Sequence, residues 1–218
     1  MMKDLNMYKA FIFDLDNTLY NYDYCDYMSY AVVRDYVVKE YKITLQQFEN
    51  LLEEAKENTK QINPVCHNRL VYFQYIAEKL GNKDIIKSSL KMFDIYSKCF
   101  YKNMKPFDWV VPFFKSHKCY ICTNMTTEVQ FQKLLSLGIS EYIAQIVTSE
   151  EVNAEKPDIK IYDTIYDKIS KSVKLEDILF VGDDMVCDVV GPDIYGFDAI
   201  HVNLFKEVLN EYSNWKDQ

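Results

Sequence analysis

The chain has 218 residues, 49% hydrophobic and 27% charged, proportions ordinary for a globular protein of one domain or one domain carrying a smaller insertion. A formal net charge of −8 excludes a broad electrostatic grip on nucleic acid or anionic lipid, because such partners are held through Lys and Arg. An anionic substrate therefore needs local compensation, such as a metal ion.

No apolar run approaches the roughly 20 residues needed to cross a bilayer, and nothing resembles a secretory signal. The cysteines (Cys25, Cys66, Cys99, Cys119, Cys122 and Cys187) lack the paired spacing of a zinc site. They read as reduced thiols in a cytoplasmic protein.

Along the chain, "YKAFIFDLD" (8–16) is an apolar run closing on polar residues, the pattern of a buried strand. From about Asn21 to Lys105 only helical patterns follow. "TLQQFENLLEEAKENTK" (44–60) opens with Thr44 and Gln47 as a capping box, and "NPVCHNRLVYFQYIAEKLG" (63–81) has Asn63 as cap, Pro64 in the first turn and Gly81 as terminator. "KCYICTN" (118–124) returns to strand character, which puts Cys119 and Cys122 on opposite faces and favours buried thiols over a redox pair. "TTEVQFQKLLSLG" (126–138) reads as a helix capped by Thr126 or Thr127 and stopped by Gly138, and "PDIKIYDTIYDKIS" (157–170) as another. "AQIVTSE" (144–150), "DILFVGDD" (177–184) and "FDAIHVN" (197–203) read as further strands. Strands alternating with helices predict an α/β fold, a parallel sheet with helices on both faces, and such sheets bind ligands beyond the carboxyl ends of their strands. The helical stretch reads as an insertion after the first strand. The expected division is a core of residues 1–20 and 106–218 and an all-helical unit of residues 21–105.

The polar residues after the strands form a chemically coherent set: Asp14 and Asp16, Thr123 and Asn124, Lys156 in "AEKPD", and Asp183, Asp184 and Asp188 in "VGDDMVCD". Carboxylates converging on one edge repel one another unless a hard cation sits among them, and oxygen ligands of this kind suit Mg²⁺. A carboxylate touching the metal stays ionised and acts as a nucleophile, the role assigned to Asp14. Its neighbour Asp16, facing the leaving group, carries a proton. In-line phosphoryl transfer then runs through an aspartyl-phosphate on Asp14, with Asp16 protonating the departing alkoxide and afterwards taking a proton from the hydrolytic water. Lys156, the Thr123 hydroxyl and backbone amides meet the charge on the phosphoryl oxygens. Thr18 is expected to hydrogen-bond a carboxylate of the Asp14/Asp16 pair. Taken singly, each motif reads as a turn or helix cap; together, in order and after successive strands, they read as a site.

On "DLDNT", "ICTN", "EKPD" and "GDDMVCD" the chain resembles the haloacid dehalogenase (HAD) superfamily across nearly everything outside the insertion. The resemblance implies a Rossmann-like core and a small helical cap inserted after the first motif. It implies side-chain contact of Asp14 and Asp183 with Mg²⁺, contact of Asp16 through its backbone carbonyl, and support of the metal or Lys156 by Asp184 or Asp188. "GPDIYG" departs from the small-residue helix often found after the fourth motif, and Pro192 is expected to shift or interrupt that helix.

The expected activity is Mg²⁺-dependent hydrolysis of a small phosphate monoester, such as a sugar phosphate or nucleotide. The alternatives are a phosphomutase, which would use the same residues, a 2-haloacid dehalogenase, which has no use for an acid at position 16, and a non-catalytic scaffold. Substrate choice is assigned to the inserted unit. There His67 and Arg69 are the candidate substrate contacts, with Thr18 and Asn124 in the core; a solvated helix face explains His67 and Arg69 at least as well. His117 and His201 read as structural.

Overall fold

The protein is described by a computed structural model covering residues 3–216, with side chains as far as residue 210. The chain divides into two compact units, Met1–Asn21 with Lys105–Gln218, and Tyr22–Met104. In chain order the elements are β1 (Ala10–Phe13), α1 (Tyr22–Tyr41), α2 (Leu45–Ile62), α3 (Arg69–Lys79), α4 (Ile85–Asn103), α5 (Val110–Ser116), β2 (Cys119–Thr123), α6 (Thr127–Ser136), β3 (Ile143–Thr148), α7 (Ser149–Val152), α8 (Ile159–Lys168), β4 (Ile178–Gly182), α9 (Gly191–Tyr195), β5 (Asp198–His201) and α10 (Val202–Lys216). Among the described residues no helix is long and apolar enough to cross a membrane.

The sheet runs β3-β2-β1-β4-β5 and every pairing is parallel. Phe13 is in register with Ile121 of β2 on one side and Val181 of β4 on the other, so these strands finish level with one another. The chain builds outward from β1 to β3, then crosses back to lay β4 on the other side of β1. The strand order reverses there, which opens a crevice beyond the carboxyl ends.

Side chains alternate along β1, and each face has its own cover. Ala10 and Ile12 join Tyr120, Cys122 and Phe180 in a cluster closed by Ile161, Tyr162 and Ile165 of α8. Phe11 and Phe13 point the other way, onto Phe113 of α5, and Phe13 also meets Phe114 and Phe205 of α10. Burial on both faces is why β1, β2 and β4 read as continuous apolar runs rather than alternating ones. Removing each such phenylalanine from water stabilises the fold by about 2–3 kcal/mol. All the cysteines are free thiols. Burial pushes the Cys122 thiol up to about 12, and the Cys119 thiol rises for the same reason, so neither is a reactive thiolate.

In the helical unit, α1 and α4 pack through aromatic rings, with Tyr30 and Tyr96 centroids 5.0 Å apart and Tyr96 stacked on Phe100. The capping box of α2 is formed in both directions: Gln47 N–H donates to Thr44 Oγ1, and Thr44 N–H donates to Gln47 Oε1. Asn63, expected to start the next helix, instead ends α2. As the residue before Pro64 it is pushed to extended geometry, φ −143° and ψ 93°. The next helix starts six residues later, where Asn68 Oδ1 accepts from Leu70 N–H. After β4, residues Met185–Val190 form a widened π-type turn and α9 begins anew at Gly191, with Pro192 in its first turn. Proline is tolerated there because the amide it lacks has no intrahelical partner.

Candidate active site

The level ends of β1, β2 and β4 deliver the motif residues to one edge of the sheet. Asp14 follows β1 directly, and its N–H still donates to Val181 of β4, which fixes where its side chain departs. Asn17 takes φ 55°, the left-handed turn that folds the chain back so that Leu19 N–H reaches Leu15. Lys156 lies in a loop, but its backbone is clamped: Asn124 Oδ1 accepts from Lys156 N–H at 2.7 Å and Asn124 Nδ2 donates to Lys156 C=O at 3.0 Å. The Lys156–Pro157 peptide is cis.

The Lys156 ammonium donates to Asp14 at 2.7 Å and to Asp188 at 2.6 Å, and its side chain is 2% exposed. Burial alone would lower the lysine pKa, but the two carboxylates outweigh it and raise it well above the ordinary value. One ammonium divided between two buried carboxylates leaves negative charge in excess. Burial therefore pushes the Asp14 carboxyl up to about 7, against the pull of Lys156 and helped by the charges of Asp188 and Asp16. Asp183 is also raised, first by burial and then by Asp188.

Carboxylate oxygens of Asp14, Asp183 and Asp188 lie within 4.8 Å of one another. Three carboxylates against one ammonium carry a formal excess of two negative charges, which a divalent cation would cancel. Hard oxygen donors in this number match Mg²⁺, which takes a few carboxylates and keeps waters elsewhere.

The other expected residues fall in several places. Asp184 does not join the cluster: its carboxylate accepts from Val186 and Cys187 N–H and caps the π-type turn, and these amides hold it below the usual carboxylate range. Of the pair Asp184 and Asp188, it is Asp188 that reaches both Lys156 and the acidic cluster. Thr18 is buried, and its hydroxyl faces Asp183 at 3.5 Å rather than the Asp14/Asp16 pair, because the left-handed turn at Asn17 swings it towards the end of β4. Asn124, expected on the substrate, has both ends of its amide engaged by the Lys156 backbone. Arg69, in the helical unit, donates to the Tyr22 hydroxyl and lies 3.7 Å from Asp26, whose carboxylate also accepts from Tyr96. His67 is half-buried just ahead of α3. His117 stacks on Phe113 at 4.0 Å, and His201 Nε2 is 2.9 Å from the Asp183 carbonyl.

Two contacts to the motifs come from α6. Gln130 Nε2 donates to Thr123 Oγ1 at 2.6 Å. Lys133 Nζ donates to both oxygens of Asp16, at 2.8 and 2.6 Å, and the Tyr20 hydroxyl donates to Asp16 Oδ1 at 2.5 Å. Asp16, two residues from the Asp14 carboxylate, thus also meets a buried positive charge. A sequence signal existed: Gln130 and Lys133 fall on the same face as Leu134 and Leu137, the face that packs on the core and ordinarily carries apolar residues.

The pattern of the haloacid dehalogenase-like hydrolases matches residues 8–191. The ribulose-1,5-bisphosphate 5-phosphatase of Halopiger xanaduensis is 26% identical over 207 residues, which span 89% of this chain and 84% of that protein. The glyceraldehyde 3-phosphate phosphatase of Methanopyrus kandleri is 25% identical over 202 residues, 90% of this chain and 84% of its own. Among solved structures, the HAD-hydrolase YfnB from Bacillus subtilis bound to magnesium superposes with a TM-score of 0.61 at 16% identity, covering 88% of this chain and 86% of that one. With the family pattern running from the residue pair before β1 to the start of α9, and the four motif loops gathered on one sheet edge, the chain belongs to the haloacid dehalogenase-like hydrolases.

Proposed function

We propose that this protein is a phosphatase of small phosphate monoesters, with sugar phosphates as the favoured class, working through an aspartyl-phosphate on Asp14. The observation that carries the reading is the buried set of Asp14, Lys156 and Asp188 at the end of β1, accompanied by a second carboxylate at Asp16. The names of the Halopiger and Methanopyrus relatives support the choice of substrate class.

Asp14, Asp183 and Asp188 are the residues that would hold Mg²⁺, with Asp16 offering its backbone carbonyl. The magnesium-bound YfnB structure supports that choice of ion. The cation supplies charge neutralisation, for the carboxylates and for the phosphoryl oxygens.

Asp14 attacks phosphorus, and the bond from phosphorus to the ester oxygen breaks. Asp16 gives its proton to that oxygen, so the alcohol leaves neutral. Asp16 then takes a proton from water as the water attacks the aspartyl-phosphate; the bond from phosphorus to Asp14 breaks, Asp14 returns as a carboxylate, Asp16 as its acid, and phosphate is released. Lys156 keeps Asp14 oriented and places positive charge beside the equatorial oxygens, and Thr123, steadied by Gln130, offers its hydroxyl to them. An acid at position 16 favours phosphate chemistry over dehalogenation, where halide leaves unprotonated.

The test is phosphate release from an aryl phosphate and from a panel of metabolite phosphates, with and without Mg²⁺, beside Asp14→Asn. Mg²⁺-dependent release abolished in Asp14→Asn is expected. No release from any member of a broad panel would turn the reading to a scaffold.

A further inference from the structure

We infer that Lys133 is the positioning residue of the proton-transfer step, acting through Asp16 from a helix that carries none of the family's motifs. This rests on the phosphatase reading above and deepens it.

Lys133 belongs to α6, and its side chain is 2% exposed. A lysine so placed is costly to bury unless its charge is met, because the ammonium loses its hydration. Here it donates to Asp16 Oδ2 at 2.6 Å and Oδ1 at 2.8 Å, spanning the carboxylate. Tyr20, itself fully buried, donates to Oδ1 from the turn that follows the first motif. Asp16 is thus gripped by two groups rooted in separate elements. Its carboxylate is held from its own turn by Tyr20 and from α6 by Lys133.

That grip matters for a group that must meet two different atoms in turn, the ester oxygen and then a water. A carboxylate free to rotate would be misplaced for part of the time, and effective proton transfer requires hydrogen-bond reach in the reacting geometry. Lys133 touches no reacting atom in this scheme. It keeps its proton throughout, and its work is to hold Asp16 where the leaving oxygen arrives. The same helix reaches Thr123 through Gln130, one turn earlier, so α6 steadies a residue on each of two neighbouring motif loops.

The consequence is selective by leaving group. An alkoxide needs the proton from Asp16, whereas 4-nitrophenolate departs without one. The experiment compares wild type with Lys133→Met, Lys133→Gln, Lys133→Arg, Asp16→Asn and the Lys133→Met/Asp16→Asn pair, all with Mg²⁺. The readouts are steady-state hydrolysis of glycerol phosphate and first-turnover release of nitrophenol from 4-nitrophenyl phosphate. Lys133→Met is expected to lose about 100-fold in kcat on glycerol phosphate with KM little changed, and to leave first-turnover nitrophenol release nearly intact. Lys133→Arg, which keeps a charge-assisted donor, is expected to recover much of the alkyl activity. Adding Lys133→Met to Asp16→Asn should cost almost nothing further, since residues acting as one unit are not additive. Should the methionine variant fail to fold, Lys133→Gln keeps a neutral donor in the slot and is read the same way.

Equal losses on both substrates, or a full additional loss in the double variant, overturn the inference while the phosphatase reading stands. A wild-type protein inert on both substrates and on the whole metabolite panel overturns both together.

Discussion

Gly182 and Asp188 pack so closely that a β-carbon at position 182 would fall inside the carboxyl group of Asp188. The glycine that ends β4 is therefore set by the acid six residues later, and the "GD" of the fourth motif is a packing requirement as well as a turn. Gly182→Ala must displace Asp188, which in turn contacts Lys156 and the acidic cluster. A fall of about 10- to 100-fold in Mg²⁺ affinity is expected, the range seen when residues supporting metal ligands are lost. Isothermal titration of the ion into wild type and variant checks it.

Lys156→Met removes the ammonium between Asp14 and Asp188 and leaves two buried carboxylates facing each other. Stranding buried charge in this way costs about 3 kcal/mol or more. The variant should melt well below wild type, recover part of the loss when Mg²⁺ is added, and show no turnover. Urea denaturation with and without the ion measures both effects.

The Asp14 carboxyl gives stability a pH dependence with a defined sign. It rests at about 7 in the folded chain against 3.8 when unfolded, so between those values the folded state holds a proton that the unfolded state has released. Stability of the magnesium-free protein must then fall as pH rises from 3.8 through about 7 and level off above. Asp14→Asn lacks this contribution and should be the more stable protein at pH 8, keeping a smaller slope from Asp183, which is shifted the same way. Denaturant melts across pH, in chelator, test the sign. Saturating Mg²⁺ should flatten the wild-type curve, because the ion binds the ionised carboxylates.

Arg69 and Asp26 lie 3.7 Å apart inside the helical unit, with side chains 21% and 23% exposed. Arg69→Ala would leave Asp26 and the Tyr22 hydroxyl without their cation, at a cost of about 2 kcal/mol. An early melt is expected. Unaltered KM across the best substrates at a temperature where the variant is folded would remove Arg69 from the substrate contacts.

Much of this was legible in the sequence because its signals are local. Runs such as "FIF" and "ILFV" mark strands buried on both faces, and the polar residue after each marks the edge where a parallel sheet binds. What was not legible depends on distances the chain closes only when folded. Asn63 carries cap chemistry, but the constraint from Pro64 makes it a terminator, and Asn68 starts the helix instead. Asp184 and Asp188 are equivalent as letters; the π-type turn uses the first as a cap and aims the second at Lys156. The place of Lys133 on the apolar face of its helix hints at burial, but its partner stands 117 residues earlier in the chain and no local pattern names it.

The four loops, then, are not a portable cassette. Asp16 and Thr123 are steadied by Lys133 and Gln130, three residues apart on a helix outside them, so transplanting "DLDNT", "ICTN", "EKPD" and "GDDMVCD" onto another parallel sheet would carry these two groups without their anchorage. A designer borrowing this chemistry must bring α6 as well.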